Sequence, residues 1–315
     1  MSKKKLIFMY NPKSGKGLIR NYFYDIIDIF VKADYEVTVY PTQCVGDALR
    51  RVPETAPDYD LLVCSGGDGT LDECVTGMMN SKVNIPIGYI PAGSTNDYAQ
   101  SLNIPKNMLK AAELAVTGRA YPCDVGAFNG DHFVYVAAFG LFSDVSYQTN
   151  QNLKNVLGHG AYLLEGAKRL YDIPSYHLQA EINGEQIEDD FVYGMVSNSV
   201  SVGGMKGMTG TDIRLDDGLF EVTLIRMPQN PLQLNDILAT LLLPFDKRSQ
   251  YIVSCKAAHL TIRSDDYVPW TLDGEFGGNH KYVAIHCQKQ AVRIVASPAQ
   301  EVLTGESSAE EGTGE

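Results

Sequence analysis

The chain has 315 residues, 44% of them hydrophobic, and carries 26 Lys and Arg against 38 Asp and Glu, a formal net charge of −12. That length exceeds what one core usually holds, so two domains are expected, and the acidic balance, with no long basic stripe, excludes duplex nucleic acid as a partner. No apolar run is long enough to span a bilayer, and the cysteines form no Cys-x-x-Cys pair, so they read as reduced core residues of a cytoplasmic protein rather than as zinc ligands or disulfides.

Leu6 to Tyr10 reads as a buried strand that ends in the loop Asn11-Pro12-Lys13-Ser14-Gly15-Lys16-Gly17. Leu18, Tyr22, Ile26, Ile29 and Phe30 then recur at helical spacing, and Glu36 to Tyr40 alternates as a strand. A short helix is expected near Asp47 to Val52. The strand Leu61 to Cys64 runs into Ser65-Gly66-Gly67-Asp68-Gly69-Thr70, with a helix expected from about Leu71 to Met79. Adjacent glycines can take positive φ and lack a Cβ, so backbone N–H groups can close on a phosphate at a helix start. Asp68 would repel that phosphate unless a cation lies between them or the carboxylate orients a donor, which points to a nucleotide with magnesium. The next strand, Ile85 to Ile90, ends in Pro91-Ala92-Gly93-Ser94-Thr95-Asn96-Asp97. Repeated strand, loop and helix make a parallel sheet, whose carboxyl rim gathers the three loops into one nucleotide site.

From about Arg119 the pattern becomes mostly β. Asn129-Gly130, Asn183-Gly184 and Asp217-Gly218 are hairpin signals between alternating runs. Helices are expected over Ala161 to Tyr171 and roughly Leu232 to Leu242. Strands follow at Tyr251 to Cys255, Ala258 to Arg263, Val268 to Leu272 and Lys281 to Cys287, giving an antiparallel sandwich of two sheets. The expected division is an α/β domain over 1–128, a β domain over 129–290, a last strand at Ala291 to Ala296 that either stays with the β domain or returns, within 291–303, to the first, and an acidic disordered tail from 304 to 315.

Four motifs, Asn11-Pro12-Lys13-Ser14-Gly15, Gly66-Gly67-Asp68-Gly69-Thr70, Pro91 to Asp97 and Leu272-Asp273-Gly274-Glu275, occur in an order that resembles the bacterial soluble diacylglycerol kinases and related lipid kinases. The resemblance spans nearly the whole chain. It implies an α/β nucleotide-binding domain and a β-sandwich domain of the NAD-kinase and diacylglycerol-kinase type, with ATP held between them. Residues 11–15 (Asn11, Pro12, Lys13, Ser14, Gly15), Thr42, 66–72 (Gly66, Gly67, Asp68, Gly69, Thr70, Leu71, Asp72) and Ser94, with Asn96 beside it, match the family's nucleotide-contact loops. Ser94 stands where members usually have Thr, and the hydroxyl is kept. Asp68, Asp97 and Asp124 match acidic positions that order water and magnesium around the phosphates, although Asp124 read alone is a hairpin-strand carboxylate. Arg214 to Leu219 is similar to a structural magnesium loop, with the Asp217 side chain and the Arg214 and Leu219 carbonyls as ligands. Read alone, it is an Asp-Gly turn.

Glu275 matches the family's general base, which takes the proton of a poorly nucleophilic alcohol as its bond to phosphorus forms. The resemblance therefore implies an ATP- and magnesium-dependent lipid kinase acting on a diacylglycerol-like alcohol and giving phosphatidic acid. Other lipid alcohols (phosphatidylglycerol, a ceramide-like base, a polyprenol), NAD kinase activity and a non-catalytic nucleotide-binding regulator are the alternatives. A lipid substrate requires weak, reversible contact with the inner face of the membrane, through local cations such as Lys168 and Arg169. Relatives imply a homodimer.

Overall fold

A computed structural model describes residues 3–140, 174–202, 205–206, 213–242 and 249–297. The helix expected over Ala161 to Tyr171, with Lys168 and Arg169, and the acidic tail lie outside them.

The first half alternates strands and helices: β1 (Lys4–Tyr10), α1 (Phe23–Lys32), β2 (Tyr35–Pro41), α2 (Asp47–Thr55), β3 (Leu61–Gly66), α3 (Asp68–Met79), β4 (Ile87–Pro91), α4 (Asp97–Ser101) and α5 (Met108–Thr117). β2, β1, β3 and β4 lie side by side in that order, all parallel. Leu6 to Met9 and Leu61 to Cys64 are at most 3% exposed, as strands covered on both faces require. Ile26 and Phe30 of α1 pack into this core at 0% exposure. The helical spacing does not extend back to Leu18 as one helix. Gly15, Lys16 and Gly17 take positive φ inside a 3-10 segment over Ser14–Asn21, so the α-helix begins at Phe23, and Leu18 is left 48% exposed. Asn107 caps α5 by accepting from the N–H groups of Leu109 and Lys110.

The second half contains β5 (Arg119–Phe128), β6 (Asp131–Phe133), β7 (Val136–Gly140), β8 (Tyr176–Ile182), β9 (Glu185–Ser197), the short pair β10 (Ser201–Val202) and β11 (Met205–Lys206), β12 (Phe220–Arg226), α6 (Pro231–Leu242), β13 (Ile252–Ala257), β14 (His259–Leu272) and β15 (Glu275–Ala296). Asn129-Gly130 joins β5 to β6, and Asn183-Gly184 joins β8 to β9. Asp217-Gly218 does not join two paired strands among the described residues. Its loop leads into β12, which pairs β9 and β13.

Among the described residues, and apart from the short β10–β11 pair, two separate sheets are not what forms. Long strands switch layers, so that β7, β9, β8 and β14 pair in a closed circuit belonging to one network of thirteen strands. Bulges make the bends, with register shifts in the β14–β15 ladder between Arg263 and Val268 and between Trp270 and Thr271. Trp270, 1% exposed, fills this core between Phe128 and Phe139, with ring centroids 5.1 and 4.9 Å away.

β15 links the two halves. It leaves a tight turn at Asp273-Gly274, where both residues have positive φ, and runs antiparallel to β14 and then to β5. Near its end Ile294 pairs in parallel with Ile87 of β4. The strand read separately at Ala291 to Ala296 is thus the final stretch of β15, and the polar stretch Gln288-Lys289-Gln290 before it is an irregularity at which Gln290 has φ +54°.

Candidate active site

From β1 the chain moves first to β2 on one side and later to β3 on the other, so the loops that follow β1 and β3 diverge. Such a switch point opens a crevice at the carboxyl ends of parallel strands. The crevice here is a cavity of about 520 Å³, lined by Asn11, Lys13 and Ser14 after β1, Thr42 to Val45 after β2, Gly67, Gly69, Thr70 and Glu73 at the start of α3, and Glu275. A hollow of about 530 Å³ on the β-rich half is lined by no glycine loop. Its charges are already engaged, His177 with Asp190 and Glu188 and Arg263 over the Tyr282 ring.

The three glycine loops hold one another. Asn11 N–H donates to the Ser65 carbonyl at 2.8 Å, and Gly67 N–H donates to Ser14 Oγ at 3.1 Å. Gly15 has φ +52°, and a Cβ there would stand 1.8 Å from the Ala92 carbonyl oxygen, so the first loop presses backbone to backbone on the third. Asn96 closes that third loop, accepting from Gly93 N–H and donating to the Gly93 carbonyl, both at 2.9 Å. Thr42 is fixed by its N–H to the Tyr10 carbonyl. Glu73 holds the loop after β2, accepting from Gly46 N–H at 2.7 Å and Ala48 N–H at 3.1 Å.

α3 begins at Asp68, three residues earlier than expected, because Gly67 is extended and the helical turn closes behind it. Its first turn therefore presents orphan N–H groups and the positive end of the helix dipole at the cavity. Asp68 reaches across to α4, its two oxygens accepting from the N–H groups of Asp97 at 3.2 Å and Tyr98 at 3.4 Å. Burial raises its carboxyl above the usual range, and the N–H bond from Asp97 pulls the other way.

Glu275 Oε1 lies 3.2 Å from where a Cβ on Gly69 would be, so the carboxylate sits directly over the α3 start. The turn beneath it is built on Asp273. That residue is 5% exposed and accepts three backbone N–H bonds, from Val134 at 2.5 Å and from Tyr135 and Val136 at 2.9 Å each. These bonds explain why the alternating run that follows Asn129-Gly130 is split into β6 and β7: its middle N–H groups turn to a carboxylate. Burial pushes the Asp273 carboxyl up to about 6 against the pull of those donors. Asp72, one turn into α3, hydrogen-bonds to Asp273, and burial first and then that neighbour hold its carboxyl well above the usual range. Two carboxyls in such contact share a proton, and the pair ties α3 to the turn that carries Glu275.

Of the residues expected at the site, Asn11, Lys13, Ser14, Thr42, Gly67, Gly69, Thr70 and Glu275 line the cavity together. Pro12 and Ser94 are exposed outside the lining, Gly66 ends β3, and Leu71 is a core residue at 1% exposure. Asp97 and Asp124 are 2% and 0% exposed. Both Asp124 oxygens accept short bonds, from Gly218 N–H and Gln290 N–H at 2.6 Å each, so this side chain clamps the loop before β12 to β15. Gln43, Cys44, Val45, Glu73 and Asp273 are the site residues that sequence reasoning missed. The Asp273-Gly274 turn was visible; its three donors, more than a hundred residues away, were not.

Asp68 accepts N–H bonds from Asn96, Asp97 and Tyr98, fewer than its two oxygens have lone pairs, so this carboxylate suits an outer contact to magnesium-bound water. The Arg214 to Leu219 loop does not suit a divalent ion. Asp217 Oδ1 accepts from Leu219 N–H at 2.9 Å, and Oδ2 faces the Lys256 ammonium at 3.5 Å.

Residues 5–128 match the family model of the diacylglycerol kinase catalytic domain. The chain is 31% identical to a diacylglycerol kinase of Bacillus subtilis over 87% of its length and 91% of that protein, and 30% identical to one of Staphylococcus carnosus over 88% and 90%. A solved structure from Bacillus anthracis, described as a diacylglycerol kinase, superposes with a TM-score of 0.78 over 95% of this chain and 99% of that one at 24% identity, which supports the fold. A mixed α/β half followed by a β-rich half is thus shared with the solved relative, and sequence similarity to named diacylglycerol kinases runs along most of the chain: it belongs to the diacylglycerol kinase catalytic domain family and is a lipid kinase, for which a kinase domain implies ATP as phosphoryl donor.

Proposed function

We propose that the protein transfers the γ-phosphate of ATP to the hydroxyl of a diacylglycerol-like lipid, giving phosphatidic acid. The observation that carries this reading is Glu275 held over the first turn of α3, within the cavity lined by the glycine loops. Phosphate oxygens at that turn meet the helix dipole and its orphan donors. Glu275 accepts the alcohol proton as the oxygen closes on phosphorus, Lys13 supplies a positive charge at the rim, and the interlocked loops supply positioning, the larger part of phosphoryl transfer. Magnesium bound with ATP would neutralise phosphate charge, and Asp68 is the residue suited to hold its water. The relatives named above support diacylglycerol over other lipid alcohols.

A lipid substrate brings the protein to a membrane surface without insertion. No helix among the described residues is long and apolar enough to cross a membrane. Beside the cavity, exposed Lys13, Lys16 and Arg20 accompany exposed Leu18 and Tyr22, a surface suited to weak contact with anionic lipid. The test of substrate class is transfer of labelled γ-phosphate to diacylglycerol, phosphatidylglycerol, ceramide and polyprenol in mixed micelles, with NAD in parallel. Label on diacylglycerol is expected, label on another lipid changes the substrate, and label on NAD overturns the class.

A further inference from the structure

The loop from Arg214 to Leu219 is fastened at almost every residue. Asp124 N–H donates to the Leu215 carbonyl at 2.7 Å, Gln290 Nε2 to the Asp216 carbonyl at 3.2 Å, and Lys289 Nζ to the Asp217 carbonyl at 3.2 Å. Gly218 N–H goes to Asp124 and Leu219 N–H to the Asp217 side chain. The remaining need is a positive charge for Asp217, whose side chain is 22% exposed, and for Glu221, whose side chain is 9% exposed. Lys256 supplies it, with Nζ 3.5 Å from Asp217 Oδ2 and 3.3 Å from Glu221 Oε1.

Sheet register sets this contact, because Glu221 on β12 and Lys256 on β13 are direct cross-strand partners. The ammonium is delivered to the loop by the backbone ladder rather than by a free surface side chain. A magnesium ion needs near-octahedral oxygen ligands, and one held on Asp217 Oδ2 would be repelled by an ammonium already beside that oxygen.

We propose that the Lys256 ammonium takes the place of a bound cation at the Arg214 to Leu219 loop, which therefore keeps its fold without a divalent metal. The role is structural and is independent of which lipid is phosphorylated.

The experiment is a pair of measurements on the nucleotide-free full chain. Thermal melts in EDTA and in millimolar MgCl₂ should agree to within about 1 °C for the wild type, since a ligand that does not bind the native state cannot shift its melting. Lys256→Met should lower the melting temperature in EDTA, and adding Asp217→Asn to that variant should lower it little further, because both changes remove the same contact. Should Lys256→Met fail to fold, the wild type and Asp217→Asn decide the matter by titration with Mn²⁺ followed by its electron paramagnetic signal. Equal binding by the two proteins is expected. A wild-type melting temperature raised by MgCl₂, or a Mn²⁺ ion bound by the wild type and lost in Asp217→Asn, would overturn the proposal.

Discussion

Asp273 offers the sharpest test of how the site is built, because one buried carboxylate satisfies the N–H groups of three consecutive residues. Replacing it with Ala leaves three buried donors without a partner. At about 1–3 kcal/mol for each orphaned group, the loss is on the order of 3–9 kcal/mol, comparable to the whole stability of many domains. Asn is the informative variant. Its side-chain oxygen keeps the bonds from Tyr135 and Val136, which both go to Oδ1, while its amide nitrogen meets Val134 N–H, donor against donor. One orphan remains, so urea unfolding should show a loss of about 1–3 kcal/mol. Because the turn also sets Glu275 over α3, kcat should fall in Asp273→Asn while the affinity for ATP stays near that of the wild type. An Asp273→Ala protein as stable as the wild type, or an Asp273→Asn enzyme with unchanged kcat, would refute the reasoning.

Three further outcomes follow from the same geometry. Gly15→Ala forces a Cβ against the Ala92 carbonyl at a positive φ, so the first loop must shift, and nucleotide affinity measured by titration should fall more than melting temperature does. Asp68→Asn keeps one oxygen for α4 but loses the charge suited to water around magnesium; the magnesium concentration for half-maximal rate should rise, and an unchanged value counts against the role. For the Asp72–Asp273 pair, the folded carboxyl at about 6 lies above the unfolded value of about 4. The native state keeps a proton that the unfolded chain has released, so this contribution to stability falls as pH rises through that window and is lost above it. Asp72→Asn supplies a permanent N–H donor, so melts across that window should show a smaller decline than the wild type does.

The nucleotide half was legible because its signals are local. A strand, a glycine turn and a helix start lie within a dozen residues at Leu61 to Asp72, and Gly66 to Thr70 reads as a phosphate cradle. What remained hidden is set by contacts distant in sequence. Nothing local in sequence marks Glu73 within its helix, yet it holds the loop after β2 through Gly46 and Ala48. Asp124 matched a phosphate-facing position, yet its oxygens are consumed by Gly218 and Gln290 from distant parts of the chain. The β half was read as shorter strands because polar stretches such as Ser264-Asp265-Asp266 and Gln288-Lys289-Gln290 resemble turns. In the structure they are irregular stretches of β14 and β15 that let long strands change layers.

The measurement that bears most directly on the central claim compares wild type with Glu275→Gln in γ-phosphate transfer from ATP and magnesium to diacylglycerol micelles, with ATP affinity measured on the same preparations. Loss of a well-placed general base costs about 10²–10⁴ in rate, so label on the lipid should fall by at least about a hundredfold while ATP affinity stays within about twofold. Transfer by Glu275→Gln at near wild-type rate would contradict the account, since another group would then be taking the proton.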